Sequence, residues 1–495
     1  MRLNRFNTLT YVIMAMVFLL GAFFRVYNNG LFKVAVPLIF GSLAILYYSK
    51  RDIEKFLKLA IIIVFLGHNA NQYFFILLTV LLFNSKLLIS YKSSFKYILL
   101  MFFWGFLSYI GNQLNEINLL SLPFFIASFF LPIAFFVVSH KYVNEKMREQ
   151  LISFYLRIVL ILCFSALIQF AIKGSTVDGL TGGTTSAHTL GFHSGVAFLI
   201  IASKVLKIFS LKKIPFLEVI LLVLVLPVMY LSDSKYLMGN MVLALGLAYM
   251  IYHTHNILKP LIITVITLLV ILGTSVLKVD KLKFSVKSDV NIAYVSLRFV
   301  DSAKFQLLLQ TIALPKTDPL VFFFGSGPGT FLSRSANSRA YDTMEKKVNV
   351  GGGTSVQVDS KLPSFIEAKT TWVTHKYATR YFYTLWQGTL FDYRSSLISL
   401  FWEYGIVGFS LFIAFFASII SFLHKASKKI KGLSAPNLFL QSFILYYFVN
   451  SLLAYYFEYP ETQIVFWLFI GAFYNKEVIE KYKKEQSPRL SRVEL

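Results

Sequence analysis

Three cations in this chain stand where an anionic group at a membrane surface would need them. Lys235 ends Leu231-Ser-Asp-Ser234-Lys235 between two apolar runs, Arg298 follows Ser296-Leu, and Arg394 closes an aromatic segment that begins at Arg380. A guanidinium grips phosphate oxygens through a planar fork, and an ammonium does so as a point charge. Near them in sequence lie groups able to move a proton: Asp392, His375, and the pair His188 and His193 within Thr181-Gly-Gly-Thr-Thr-Ser-Ala-His188-Thr-Leu-Gly-Phe-His193. Histidine suits both acid–base work and phosphate binding. Ser234 adds a hydroxyl beside Lys235, while Arg380, Trp386 and Tyr393 offer the cations and flat faces on which sugar rings stack. Each feature also has a plainer reading: a snorkelling lysine, a solvated arginine, a helix start packed through small residues, and aromatic side chains anchoring the chain at the interface.

Two glycine-rich segments are expected to shape the backbone around these groups. Gly325, Gly327 and Gly329, in Phe324-Gly-Ser-Gly-Pro-Gly-Thr-Phe331, read as a tight turn after an amphipathic stretch over 291–314. Glu403 and Gly405 lie in Leu397-Ile-Ser-Leu-Phe-Trp-Glu403-Tyr-Gly405-Ile-Val-Gly408, about two helical turns into an apolar run. A charge there is costly in hydrocarbon and so defaults to a paired or functional role; we expect Glu403 to brace loop groups. Arg157, the other clear charge inside an apolar run, lies near enough to its cytoplasmic end to snorkel.

The elements that must position these residues are membrane helices. Of 495 residues 56% are hydrophobic, with mean hydropathy +0.65, above the composition of a soluble domain. Apolar runs long enough to cross a bilayer recur from end to end. They predict an all-α polytopic protein with roughly 12–14 spans and one large, partly helical extracytoplasmic loop before the last three helices. The predicted division is an N-terminal bundle over 1–274, the loop over 275–394, C-terminal spans over 395–474 and a basic cytoplasmic tail over 475–495, exposed as an extension. The apolar start is read as a retained first helix, since no small-residue cleavage site follows it.

The net charge of +24 resembles a nucleic-acid signature only until the charges are placed. With both termini on one side, the short segments of that side carry 27 Lys and Arg against four (Arg25, Lys33, Lys173, Lys235) on the other. That asymmetry puts the first set in the cytoplasm and the loop outside. The weak joint is 57–83, where Gly67-His-Asn-Ala-Asn-Gln72 makes two short halves or one kinked helix; the charge count favours the two halves. The lone Cys163 lies in an apolar run, so no intramolecular disulfide forms. There is no GxxxxGK[ST], Asp-x-Asp, HExxH or GxSxG sequence, which disfavours an ATP-driven exporter, a metal-dependent nucleotide-sugar transferase and the common hydrolases. No metal site and no cofactor are expected.

Taken in order, these segments resemble the O-antigen polymerase/ligase superfamily of bacterial envelopes. The resemblance rests on Ser234-Lys235 opening a helix, on Arg298 followed by Pro319-Leu320 and Gly325 to Phe331, and on Leu397 to Gly408, and it covers roughly 180–470. Two features depart from it. Ligases of the family carry a histidine where this chain has Arg394-Ser-Ser396, and the family's Ser-Arg is Ser-Lys here, which loses the bidentate fork. The missing histidine tilts the resemblance toward the polymerase.

The resemblance implies a multi-pass enzyme of the bacterial cytoplasmic membrane. Its reaction would be glycosyl transfer from a polyprenyl-diphosphate-linked glycan to a sugar hydroxyl on another lipid-linked repeat unit. Arg298, Arg394 and Lys235 would stabilise the departing diphosphate, with Asp392, His375 or His188 as base. Implied partners are that lipid-linked glycan, membrane lipids, and a chain-length regulator or flippase of the same pathway, with no nucleic acid. The alternatives are a ligase with a different acceptor and a lipid-linked oligosaccharide flippase.

Overall fold

The computed structural model describes residues 5–24, 30–66, 95–112, 131–173, 180–182, 184, 187–208, 215–232, 235–252, 303–328, 395–430, 433–453, 457 and 460–490. Everything regular among them is helical. The helices are α1 (Arg5–Phe24), α2 (Gly30–Ser49), α3 (Ile53–Leu66), α4 (Phe95–Asn112), α5 (Leu131–Tyr142), α6 (Glu145–Lys173), α7 (Ala187–Ile208), α8 (Phe216–Leu231) and α9 (Lys235–Tyr252). Then come α10 (Ala303–Thr317), α11 (Pro319–Phe324), α12 (Ser396–Ser427), α13 (Ser434–Leu453), α14 (Pro460–Phe473) and α15 (Lys476–Leu490).

Among the described residues three helices are long and apolar enough to cross a membrane: 145–173, 187–206 and 396–427. Shorter apolar helices accompany them, over 8–20, 96–111, 216–231 and 237–251. The coarse expectation of an all-helical chain with membrane-crossing helices therefore holds. The expected spans at 72–83 and 260–274, and the turn at 67–72, lie outside the described residues.

Apolar surface gains nothing by leaving lipid, so helices in a bilayer are held by close packing and by polar contacts between them. The interior is accordingly aromatic. Phe412 and Phe416 of α12, Tyr447 and Phe448 of α13, and Phe466 and Trp467 of α14 interlock around Phe457. The Tyr447 and Phe466 rings stack with centroids 3.8 Å apart. Phe136 brings α5 into the same cluster through Phe415 and Trp467. Such pairs contribute about 0.5–1.5 kcal/mol each beyond their area. Arg157 is half-buried, its guanidinium 5.7 Å over the Tyr11 ring; it lies more than three turns into α6, where α1 holds it, and not near the helix end as expected.

One end of the bundle collects its charges in contact with one another. The α5–α6 junction meets α15: Lys481 reaches Glu145 at 3.0 Å and Glu477 at 2.9 Å, and a Glu477 carboxylate oxygen accepts from the Glu145 amide at 2.9 Å. Val478 is buried, and Tyr482 packs edge-on against Phe422 under the Lys429 ammonium. The C-terminal segment is thus helical through Leu490, and its first two turns are docked rather than extended into solvent, because Val478 and Tyr482 form an apolar pair one turn apart.

The Lys481 ammonium, and then the Glu145 amide, hold the Glu477 carboxyl below its usual value. Its hydrogen bonds to Glu477 and then Glu145 raise the lysine above its own. A depressed carboxyl contributes stability above its unfolded value and loses it as pH falls through the folded one. A raised lysine contributes below its unfolded value and loses that as pH rises through the folded one. Docking of α15 is therefore expected to be tightest between about pH 5 and 10 and to loosen outside that window. Amide exchange across 476–490 against pH checks this, and a flat profile contradicts it.

Candidate functional site

The site is built around a break in a helix. α12 is interrupted at Gly405, whose backbone (φ 63°, ψ −177°) is in a region essentially reserved for glycine. A break here strands carbonyls that the helix would have paired, and inside a bilayer each unpaired carbonyl costs several kcal/mol. All three around the break are paired from other elements. The Ser326 amide donates to the Trp402 carbonyl and the Gly327 amide to the Glu403 carbonyl, both at 2.9 Å. The Trp104 indole of α4 donates to the Tyr404 carbonyl at 3.0 Å.

The partner segment is the expected glycine turn. Asp318 caps α11 by accepting from the Val321 amide at 3.2 Å, and Gly325 ends it with φ 82° and ψ 168°. The two glycines face each other. A Cβ on Gly325 would stand 2.6 Å from the Gly405 nitrogen, and one on Gly405 would stand 2.6 Å from the Gly325 nitrogen. Neither position has room for a side chain, since what each Cβ would meet is backbone. Ser108 of α4 donates to the Gly325 carbonyl at 2.9 Å, Phe324 stacks on Trp104 with centroids 5.4 Å apart, and the Trp402 indole donates to Thr311 at 2.9 Å.

Residues 303–328 therefore lie alongside α4 and α12 rather than apart from them. Gly405 is about 13 Å along the axis from the start of α12, so the turn seated on it reaches well down the helix. Leu308, Leu309, Ile312, Leu320, Phe323 and Phe324 remain exposed on this segment, as do Phe103 and Leu107 on α4. Removing the Trp104 hydrogen bond with Trp104→Phe, or the Ser108 one with Ser108→Ala, is expected to cost about 1–2 kcal/mol each. Thermal melting in detergent measures this, and unchanged melting in both would mean the kink holds itself.

Glu403 is wholly buried. Its backbone carbonyl does the bracing that sequence reasoning assigned to the residue. Gly325, Gly327 and Gly405 all have positive φ, and Gly329 lies outside the described residues.

A second junction lies where α9, α12 and α13 meet. α9 and α13 pack along each other, joined by Asn240 Nδ2 donating to Asn450 Oδ1 at 2.7 Å. One residue further, the Ser451 carbonyl accepts from Ser395 Oγ at 3.3 Å, and Ser395 caps α12 by accepting from the Ile398 amide at 3.3 Å. The Phe457 amide donates to Ser396 Oγ at 3.2 Å. The start of α9 at Lys235 and the start of α12, two residues after Arg394, thus meet the end of α13 at one end of the bundle.

The proposed site residues fall out as follows. Lys235 opens α9 at this junction. Arg298, Arg394, Asp392, His375, Ser234, Arg380, Trp386 and Tyr393 lie outside the described residues. His188, in the first turn of α7, is exposed. His193 is fully enclosed, its Nδ1 3.0 Å from the Tyr155 hydroxyl and its ring 4.5 Å from that of Phe65. Five residues apart on one helix, the two histidines face different surroundings and do not share a site. The Asn240–Asn450 pair is not evident in the sequence: Asn240 is the one amide side chain of α9, but Asn450 shares α13 with Asn437 and Gln441.

No known family, characterised protein or solved structure matches the chain.

Proposed function

We propose that this chain is a membrane glycosyltransferase that joins polyprenyl-diphosphate-linked oligosaccharide repeat units into a surface polysaccharide. On this reading the chain crosses a bacterial cytoplasmic membrane about fourteen times, with the 275–394 segment outward and the basic segments inside. The donor's diphosphate is the leaving group, so negative charge builds up there in the transition state. Fixed cations near the outer surface stabilise that state more than the ground state.

The observation that carries the reading is the junction of α9, α12 and α13. It brings the helix that Lys235 opens and the helix that Arg394 precedes to one place, although 159 positions separate the two residues. The kinked start of α12, clasped by the glycine turn, holds that place rigid and ties it to the segment downstream of Arg298. Lys235, Arg298 and Arg394 are the diphosphate ligands in this account. Asp392, His375 and His188 are the choices for the base that takes the acceptor hydroxyl's proton, and Arg380, Trp386 and Tyr393 hold the sugars.

A ligase would use the same donor chemistry with another acceptor. A flippase would move the lipid-linked unit without extending it. Cells from which the chain is removed are expected to keep making single lipid-linked repeat units while losing long polymer, a pattern read by gel analysis of surface glycans. Long polymer persisting in those cells contradicts the reading. Single units accumulating on the inner leaflet would indicate translocation instead.

A further inference from the structure

The α9–α12–α13 junction holds polar groups whose hydrogen-bonding capacity its own residues do not use. Asn450 and Ser451 are fully buried and Ser399 is 1% exposed. Among the described residues Asn450 Nδ2 and the hydroxyls of Ser399 and Ser451 have no partner. A buried donor left unpaired costs about 1–3 kcal/mol, and three of them at one helix junction is a standing cost that a bound ligand removes.

Their setting defines the ligand. α12 begins here, and its cap satisfies the Ile398 amide, leaving the Ser396 and Leu397 amides without an acceptor from within the helix. The unbroken first segment of α12, 396–404, places the positive end of its dipole here. The side chains around it are neutral donors, with Lys235 about 7–8 Å along α9 from Asn240 and Arg394 next in chain to Ser395. Amides, hydroxyls and a helix N-terminus beside flanking cations select phosphate oxygens. Asn240 is only half-buried.

We infer that the Asn240–Asn450 pair, with Ser399 and Ser451, forms a phosphate cradle at the start of α12 that holds the diphosphate of the lipid-linked donor. The inference rests on the functional reading above and adds to it a neutral half of the site. The cations supply charge, and the cradle fixes where the oxygens lie. The phosphate-bearing ligand has three possible sources: a polyprenyl diphosphate, a bilayer phospholipid, and a free inorganic diphosphate.

The test is calorimetric binding to the purified full chain in neutral detergent, with undecaprenyl diphosphate, undecaprenol, inorganic diphosphate and phosphatidylglycerol as probes. The double variant Asn240→Leu with Asn450→Leu removes the pair without leaving a stranded partner. It should bind undecaprenyl diphosphate at least about tenfold more weakly, as expected when hydrogen bonds to a charged group are lost, with undecaprenol binding unchanged. Asn240→Asp, on the half-buried side, keeps the proposal testable if the double variant fails to fold; its carboxylate should repel the diphosphate and weaken binding at least as much. Affinity within twofold of the unsubstituted chain in the variant that folds overturns the cradle. Equal affinity for phosphatidylglycerol and undecaprenyl diphosphate overturns it as a donor site. So does binding of inorganic diphosphate alone. If the variants lose diphosphate affinity but the unsubstituted chain never extends glycans, the cradle stands and the transferase reading falls. If the chain extends glycans and the variants bind normally, the reverse holds.

Discussion

Gly405→Ala and Gly325→Ala should each destabilise the protein by at least about 3 kcal/mol, the largest effect expected of any single methyl group in the chain. Two costs add. Both glycines occupy a backbone region that a side chain enters only at about 1–3 kcal/mol. Each new Cβ would also meet backbone, which cannot swing aside as a flexible side chain can. Relief would require separating the turn from the kink, and that strands the carbonyls of Trp402 and Glu403 that Ser326 and Gly327 now pair. Gly239→Ala is the control: it lies within α9, and a Cβ there meets nothing within 4 Å. Thermal melting in detergent should show the two clasp variants far below the control. Melting within a degree or two of the unsubstituted protein would mean that the clasp is not what fixes α12.

The second large effect is catalytic. Arg298→Ala or Arg394→Ala should lower polymer formation about 10²–10³-fold, the usual consequence of deleting one contact to a charge that develops in the transition state. Lys235→Ala should act in the same direction. On the proposed function the three cations share one diphosphate, because like charges brought together repel one another unless an anion holds them. Expression and melting should stay normal in all three. Arg394 carries the greater risk, since the resemblance to the polymerase/ligase superfamily sets it where ligases carry a histidine, and Arg394→His separates the two roles by testing whether ligase-like activity appears. Near-normal polymer formation in both arginine variants sinks the diphosphate assignment.

Much of this architecture could be read from sequence because membrane helices declare themselves by apolar length. The starts of α9 and α12 and the glycine turn after α11 fell where hydropathy and turn residues placed them. What stayed hidden depends on partners distant in sequence. Nothing in Gly325 or Gly405 alone says that each needs the other's missing side chain. Likewise, Glu403 drew attention as a buried charge, whereas the contribution seen is from its carbonyl. Asn240 is the one amide of α9 and Asn450 is one of three in α13, so neither stands out until its mate is known. Within α15, overall polarity masked the pair Val478 and Tyr482, which is enough to dock it.

The most direct measurement of the central claim is reconstitution of the purified chain in lipid vesicles with a polyprenyl-diphosphate-linked oligosaccharide as the sole glycan. The account predicts a ladder of products growing by whole repeat units, each still carried on one lipid diphosphate, with free polyprenyl diphosphate released at every step. Repeat units that cross the bilayer unextended, with no polyprenyl diphosphate released, would contradict it.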